Sequence, residues 1–350
     1  MRAHGDHRGG RRVLRMPTGT PIPIRIPTRS LDVCGFVVGA LVLLGLASCS
    51  TDRDPNDLLV PRDVGVLTID AVLTVSKPFP PMRISRTGSP SEPFDVGDVL
   101  RADDIAEIRI RNDDSSVIVR YTYDTAGNSG FWVPTSGDSQ YRVEPDTRYE
   151  LIVKTEAAEL LRATTITPPP FHVEDWVILD EAGQEVVRQL TTFDDVGDPA
   201  EVFRANEIVY ATGLLEARFD RPDVPAFEVG IFSLDLGSDY VIDPDFFDEE
   251  DFESLDRVGS SPPIESNDGT LRLPWFAIFF EGRYSIKIYA MDQNWYDLAR
   301  SAPGFGDGSP GFGGQAGDDF ERPIFHVEGG IGLFGSTSVD SIGFDVQPRP

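Results

Sequence analysis

The chain has 350 residues and a formal net charge of −27, with 58 acidic against 31 basic side chains. A surface this acidic repels phosphate backbones, so we expect no nucleic-acid partner. Two cysteines in the whole chain cannot make a disulfide framework, and the fold must therefore depend on an apolar core.

The first predicted element is an apolar segment at residues 33–46 that carries no charge. A bilayer span takes about 20 apolar residues, so this segment is too short and fits the core of a secretory signal. Arg25 and Arg29 lie before it, as the positive region of such a signal requires. Residues 1–48 are therefore predicted to be a signal peptide.

The segment ends in Leu46-Ala47-Ser48-Cys49, which resembles the lipobox of bacterial lipoproteins. The resemblance implies that the Cys49 thiol carries a diacylglyceryl group, that cleavage occurs just before it, and that the new amino group is acylated. More than one acyl chain gives stable anchoring, at about 0.8 kcal/mol per buried methylene. We expect membrane attachment at Cys49 in the cell envelope, with Ser50 favouring the outer membrane, and a flexible tether over residues 49–63.

Residues 64–167 show the alternation of half-buried strands. Leu67, Ile69, Ala71 and Leu73 occupy every second position of the first strand. ADDIAEIRIRN, SVIVRYTYD and YRVEPDTRYELIVKT follow with turn residues between them. Short strands at regular spacing predict an immunoglobulin-like β-sandwich as the N-terminal domain of an all-β protein.

A second β-rich domain is predicted over residues 171–350, after three consecutive prolines. Residues 283–291 alternate cleanly, and no segment has a sustained helical period with caps. LRLPWFAIFF is predicted to be a strand whose aromatic side chains mostly fill the core. An acidic loop (residues 243–256) and a glycine-rich loop (residues 301–319) interrupt this domain.

Three stretches, VLTIDAVLTVSKPFPPMRISRTG, YRVEPDTRYELIVKT and RPIFHVEGGIGLFGS, together resemble the bacterial lipoprotein family called domain of unknown function 4249. The C-terminal glycine motif at residues 329–335 carries most of the likeness, and Val327-Glu328 departs from it. The resemblance implies a lipid-anchored sandwich. Because such proteins often accompany outer-membrane receptors that import nutrients, it also implies an accessory role, and it supplies no catalytic residues.

The sequence contains no motif for a familiar catalytic centre. His172 and His326 lie far apart, without metal-ligand spacing. There is no G-x-S-x-G nucleophile turn. The glycines of residues 329–335 lack the lysine of a phosphate-binding loop and predict a bend where backbones approach closely. We therefore expect no cofactor and a non-enzymatic protein.

Two sets of candidate binding residues stay open. The acidic loop offers oxygen donors that suit calcium, namely Asp243, Asp245, Asp248 and Glu250. Their spacing is not that of a known calcium loop, and a solvated surface segment is the simpler interpretation. Trp295 and Tyr296 lie in a polar segment and are expected to be an exposed aromatic pair that could bind a ligand.

The function predicted from the sequence is a lipid-anchored, non-enzymatic binding or accessory protein beside an outer-membrane nutrient-uptake receptor. Two alternatives are a glycosidase-like hydrolase that uses paired carboxylates, and a structural envelope protein that binds calcium.

Overall fold

The structure, a computed structural model, describes residues 65–88, 100–125, 130–241, 256–273, 275–301 and 323–349. These residues form an all-β, sandwich-like fold, which confirms the predicted fold class. Among them, no helix has both the length and the apolar character needed to cross a bilayer.

The strands are short, apart from the last one. In chain order they are β1 (Leu67–Thr74), β2 (Arg83–Arg86), β3 (Ile105–Asn112), β4 (Ile118–Tyr123), β5 (Trp132–Pro134), β6 (Arg148–Thr155), β7 (Leu160–Ile166), β8 (Asp175–Leu179), β9 (Val186–Gln189), β10 (Glu207–Val209), β11 (Leu214–Arg218), β12 (Phe227–Ser233), β13 (Val258–Ser260), β14 (Thr270–Leu273), β15 (Gly282–Met291), β16 (Val327–Glu328) and β17 (Ile331–Gln347). Two helices, α1 (Pro199–Ala205) and α2 (Gln293–Ser301), interrupt them.

The strands form three sheets. The seven-stranded sheet, called the large sheet below, has the order β13-β12-β15-β17-β1-β2, with β10 also paired to β17. A six-stranded sheet has the order β16-β7-β6-β3-β4-β5, and a four-stranded sheet has the order β14-β11-β8-β9. The large sheet therefore joins strands from both ends of the described chain.

Strand β17 holds the large sheet together. Its residues 331–337 pair in parallel with residues 68–74 of β1, and its residues 337–346 pair antiparallel with β15. A Cβ on Gly332, whose φ is +110°, would lie 2.0 Å from the main-chain oxygen of Ile69. Only glycine fits such an approach, which confirms the interpretation of residues 329–335 as a close backbone contact.

Buried apolar side chains form two main clusters. One takes its residues from positions 67–163 together with Phe334 of β17. The other takes its residues from positions 171–346. The predicted inward-facing residues of β1 and of β15 are buried, so the period-two pattern identified the core face of both strands.

The described residues contain two short capped helices, although the sequence was interpreted as having no sustained helical period with caps. The Asp198 side chain caps α1 by accepting a hydrogen bond from the Ala200 main-chain nitrogen at 3.0 Å, and Pro199 is its first residue. Asp292 caps α2 by accepting from the Trp295 nitrogen at 2.8 Å. Both helices are too short to show a sustained apolar period, so their caps are the stronger sequence signal.

The prediction of one continuous strand through LRLPWFAIFF was also wrong. Strand β14 ends at Leu273, and Trp275–Ala277 form a single 3-10 turn. The Trp275 indole donates to the main-chain oxygen of Gly213 at 2.7 Å. Trp275, Phe279 and Phe280 are buried, which confirms their expected place in the core.

Candidate functional site

One face of the large sheet carries a groove made of two neighbouring cavities, with volumes of about 390 and 560 Å³. The cavities share Thr74 and Tyr289 as lining residues. The first is lined by Val72, Thr74, Glu228, Gly230, Phe232, Val258, Gly259, Ser260, Tyr289, Trp295 and Thr337, and the second by Thr74, Lys77, His172, Trp176, Thr192, Phe193, Asp194, Lys287, Tyr289, Val339, Asp340 and Ser341. We call the two cavities together the large-sheet groove.

Strand alternation sets which side chains reach the groove. On β12, Glu228 and Phe232 face the groove, whereas the intervening Val229 and Ile231 belong to the apolar core. Across the ladder, Tyr289 of β15 lies directly opposite Glu228. The first cavity is thus built mainly on a sheet face, whereas turn and loop residues, among them Lys77, His172 and Asp194, also line the second.

Aromatic rings cover the floor of the first cavity. A Cβ on Gly230 would lie 2.9 Å from Phe232 Cε2 and 3.0 Å from Tyr289 Cε2, so both rings pack over this glycine. The Trp295 ring lies against the Tyr289 ring, with centroids 5.7 Å apart and planes tilted by 53°. Phe232, Tyr289 and Trp295 therefore supply apolar ring surface to the groove.

Two of the three lysines in the chain, Lys77 and Lys287, line the second cavity. The third, Lys154 on β6, is paired with Glu107 at 3.2 Å. Within the described residues, neither groove lysine has a carboxylate within 4.0 Å. The Lys287 ammonium lies 4.8 Å from the centroid of the Phe232 ring, a cation–π contact that joins the two cavities.

Glu228 is a buried carboxyl group beside open volume. Its pKa rises from an ordinary 4.5 to about 7 because burial disfavours the charged form, and a hydrogen bond with the Ser260 side chain opposes this only in part. Burial also raises the pKa of the Tyr289 hydroxyl, and the negative charge of Glu228 adds to that effect. Near neutral pH, Glu228 can therefore present either a donor or an acceptor to a ligand.

Two carboxylates line the second cavity. The Asp340 carboxylate already has two polar contacts. Its Oδ2 lies 2.9 Å from His172 Nδ1 and accepts a hydrogen bond from the Val173 main-chain nitrogen at 2.7 Å. Asp194, in a 3-10 turn, is the other carboxylate, so the two formal negative charges of this cavity equal the two ammonium charges of Lys77 and Lys287.

Helix α2 is fixed to the sheet by its first turn. Asp292 is buried, and its carboxylate accepts hydrogen bonds from the Thr165 hydroxyl, from the Ser336 hydroxyl at 3.1 Å and from the Trp295 nitrogen at 2.8 Å. Burial raises the pKa of Asp292, and these hydrogen bonds oppose the rise. Asn294 donates to main-chain oxygens of β7 and β17 at 2.6 and 2.9 Å. These contacts hold Trp295 in a fixed place at the groove.

The two aromatic candidates from the sequence have different surroundings. Trp295 lines the groove, whereas the Tyr296 hydroxyl donates to Glu265 at 2.7 Å and its ring lies 5.4 Å from the Arg300 guanidinium. Both side chains are half-buried against a small apolar cluster, so the expectation of an exposed pair was wrong. A short helix, rather than a polar loop, packs them.

The other sequence candidates lie elsewhere. Cys49 and the four proposed calcium ligands (Asp243, Asp245, Asp248 and Glu250) fall outside the described residues. Within the described ranges, no three His, Cys, Asp or Glu side chains converge in a way that could hold a metal ion. His326 Nε2 lies 2.8 Å from Asp297 Oδ2, so each of the two described histidines pairs with a different carboxylate.

Sequence reasoning missed Lys77, Lys287, Glu228 and Tyr289 as groove residues. The scarcity of lysine in so acidic a chain was a visible signal, and the alternation of β15 placed Lys287 and Tyr289 on one face. Comparison with protein-family models and with curated proteins found no match for this chain.

Proposed function

We propose that this protein is a lipid-anchored, non-enzymatic binding protein of the bacterial cell envelope, which holds a ligand in the large-sheet groove and works beside an outer-membrane nutrient-uptake receptor. The lipid is attached at Cys49, and residues 49–63 tether the fold to the membrane surface. The likeness of residues 329–335 and of two earlier stretches to domain of unknown function 4249 supports the accessory role.

The observation that carries the binding function is the lining of the groove. Within the described residues, aromatic rings and two lysines that have no carboxylate within 4.0 Å line one groove of a protein whose net charge is −27. Unpaired charged groups beside apolar rings are typical of ligand sites, because a core would leave neither open volume nor free charge.

One observation favours a second candidate, a carboxylate-based hydrolase. A pKa of about 7 for Glu228 suits a general acid near neutral pH. Glycoside hydrolysis needs a second carboxyl group across the bond to be cleaved, at about 5 to 9.5 Å. Glu228 is the one carboxyl group among the described residues that line the first cavity, so binding is the function better supported.

The anchoring and the partner can be tested together in native membranes. The full-length chain is compared with Cys49→Ser, and Cys34→Ser serves as the matched control because Cys34 lies within the predicted signal. We expect a lipid-modified Cys49 by mass spectrometry and a cross-link to an outer-membrane receptor, both lost in Cys49→Ser and kept in Cys34→Ser. An unmodified Cys49 sulfur, or a cross-link that survives Cys49→Ser, would contradict the proposal.

A turnover assay on glycans that the protein binds distinguishes the hydrolase candidate from a non-enzymatic binding protein. The wild-type chain and Glu228→Gln are compared, and no product should form with either protein. Product formed by the wild-type chain and lost in Glu228→Gln would establish the hydrolase instead.

A further inference from the structure

The side-chain groups of the large-sheet groove that the fold itself does not use indicate the chemistry of what binds there. We propose that the groove binds a neutral oligosaccharide, a chain of uncharged sugar rings. This proposal rests on the binding function proposed above and specifies its ligand class.

The charges of the groove balance, so they select no charged ligand. Lys77 and Lys287 bring two positive charges to the second cavity, and Asp194 and Asp340 bring two negative charges. Glu228, in the first cavity, adds a negative charge only as the pH rises through about 7. The groove therefore lacks the excess of positive charge that an acidic ligand needs, and its two ammonium groups disfavour a basic ligand.

Several polar groups of the groove are without a partner in the fold. Thr337 and Ser260 are not among them, because the Thr337 hydroxyl donates to the Ala290 main-chain oxygen at 2.9 Å and Ser260 is bonded to Glu228. Within the part of the chain that the structure describes, neither a hydrogen bond nor an ion pair within 4.0 Å occupies the side-chain polar atoms of Lys77, Lys287, Tyr289, Asp194, Thr74 and Ser341.

These groups include both donors and acceptors of hydrogen bonds. The lysine ammonium groups only donate, the Asp194 carboxylate only accepts, and the hydroxyl groups of Tyr289, Thr74 and Ser341 do both. A purely apolar ligand, such as an acyl chain, would exclude water from these groups and leave them unpaired. A sugar hydroxyl both donates and accepts, so a chain of sugar rings can pair with either kind of group.

The aromatic side chains supply the second half of the recognition. Sugar rings have C–H faces that pack on aromatic rings, and Trp295 and Tyr289 offer two adjacent rings whose centroids are 5.7 Å apart. Both side chains are half-buried, so each ring is partly open. Phe232 contributes less, because the Lys287 ammonium already lies 4.8 Å from its ring centroid. The contacts of α2 described above hold Trp295 in place, so little side-chain freedom is lost on binding.

The place of the groove on a sheet face disfavours a peptide. The main-chain groups of β12, β15, β17 and β1 are already paired with one another in the ladder. A peptide strand is commonly bound by adding to an open sheet edge, where main-chain groups are free. A proline-rich peptide docks in aromatic-lined grooves, but proline has no main-chain N–H to donate to the Asp194 carboxylate.

The dimensions favour a chain over a single ring. The groove reaches from β13 across β12, β15 and β17 to β1. Adjacent strands lie about 4.8 Å apart, so the groove spans roughly 19 Å.

The test is calorimetric titration of the full chain with neutral gluco-, manno- and galacto-oligosaccharides of increasing length, and with oligogalacturonates of the same lengths. We expect a neutral series to bind, with an affinity that rises with chain length until the groove is filled, and the oligogalacturonates to bind no more tightly. The proposal is overturned if none of the three neutral series binds. It is also overturned if oligogalacturonates bind about tenfold more tightly than galacto-oligosaccharides.

Two variants test the aromatic pair. Trp295→Ala should weaken binding of the neutral chain about tenfold or more, and Tyr289→Phe, which keeps the ring and loses the hydroxyl, about three- to tenfold. Tyr296→Ala is the matched control and should bind as the wild type does. Tyr296 follows Trp295 on α2 and packs against the same small apolar cluster, but its hydroxyl is bonded to Glu265 and it does not line the groove. Equal losses in Trp295→Ala and Tyr296→Ala would overturn the proposal.

A third variant tests the balance of charge. Asp194→Asn leaves the second cavity with an excess of positive charge, so it should bind oligogalacturonates about three- to tenfold more tightly than the wild type does. Glu107→Gln is the matched control, because it removes one negative charge from another sheet, and it should leave this affinity unchanged. Equal gains in the two variants would overturn the argument from charge balance and with it the neutral ligand.

Circular dichroism and thermal unfolding of each variant show that it is folded. A proline-rich peptide or an acyl chain that binds in a Trp295-dependent way, in place of the neutral sugars, would overturn the ligand class. That result would leave the binding function in place, whose anchor and partner the Cys49 experiment tests separately.

Discussion

Two buried carboxyl groups, Asp292 and Glu228, lie near Trp295 and differ in what surrounds them. Asp292 accepts hydrogen bonds from two hydroxyl groups and one main-chain nitrogen, and it caps α2. Glu228 has the Ser260 hydroxyl as its hydrogen-bond partner and borders a cavity of about 390 Å³. Burial raises the pKa of both groups.

Burial and a raised pKa therefore do not by themselves identify a ligand-binding residue. A buried carboxylate whose oxygens accept hydrogen bonds from neighbouring groups of the protein has a structural role. A buried acid with one partner and open volume beside it keeps capacity for a ligand. Asp292 therefore positions Trp295, and Glu228 contributes to the groove.

The largest loss of stability is expected from removing the carboxylate of Asp292. Asp292→Ala leaves the Thr165 and Ser336 hydroxyls and the Trp295 nitrogen without their acceptor, and it removes the cap of α2. We expect the free energy of unfolding to fall by about 3 to 4 kcal/mol, measured by chemical denaturation.

Asp70→Asn is the control, because Asp70 is an exposed acid on β1 of the same sheet. It should change the free energy of unfolding by less than about 0.5 kcal/mol. Equal effects of the two substitutions would show that Asp292 does not hold the helix.

Glu228 should give the fold a pH dependence of a predictable sign. Its folded-state pKa is raised from 4.5 to about 7, so between these values the folded protein binds more protons than the unfolded chain. The contribution of Glu228 to the free energy of unfolding is therefore fully present below pH 4.5. It is lost as the pH rises through 7, and the total loss is about 2 to 3 kcal/mol.

Glu228→Gln isolates this contribution. Relative to the wild type, the variant should gain about 2 to 3 kcal/mol in its free energy of unfolding when the pH is raised from below 4.5 to well above 7. Denaturant titrations at both ends of this range measure the gain. A difference between the two proteins that stays constant with pH would mean that Glu228 is not desolvated in the folded state.

A smaller effect is expected at the floor of the groove. In Gly230→Ala the new methyl group meets the rings of Phe232 and Tyr289 at 2.9 and 3.0 Å, so both rings must shift. We expect a loss of about 1 to 2 kcal/mol in the free energy of unfolding. Gly259→Ala is the matched control in the same cavity, where a Cβ meets nothing within 4 Å, and its stability should stay within about 0.5 kcal/mol of the wild type. Equal losses would show that the rings do not pack over Gly230.

The sequence predicted those features that depend on neighbouring residues. The alternation of β1 and β15 identified strands and their buried faces, and the glycines of residues 329–335 identified a close backbone contact. Helix α2 was missed, although Asp292 before a short segment with Trp295 is a readable cap.

The groove could not be predicted in the same way, because it depends on the order of strands. Lys77 follows β1 and Lys287 lies on β15, and they meet because β17 pairs with both strands. Likewise, Asp292 meets Thr165, which lies 127 residues away. Such long-range pairs leave no local pattern, and Trp295 was the one groove residue that the sequence proposed as a ligand contact.

The most direct measurement of the central claim uses the four tryptophans as reporters. Trp295 and Trp176 line the groove, whereas Trp132 lies in the six-stranded sheet and Trp275 is bonded to Gly213. In nitrogen-15 NMR spectra of the indole groups, titration with short neutral and acidic oligosaccharides should shift the signals of Trp295 and Trp176 and leave those of Trp132 and Trp275 in place. Unchanged Trp295 and Trp176 signals at saturating ligand, or equal shifts of all four, would contradict binding in the large-sheet groove.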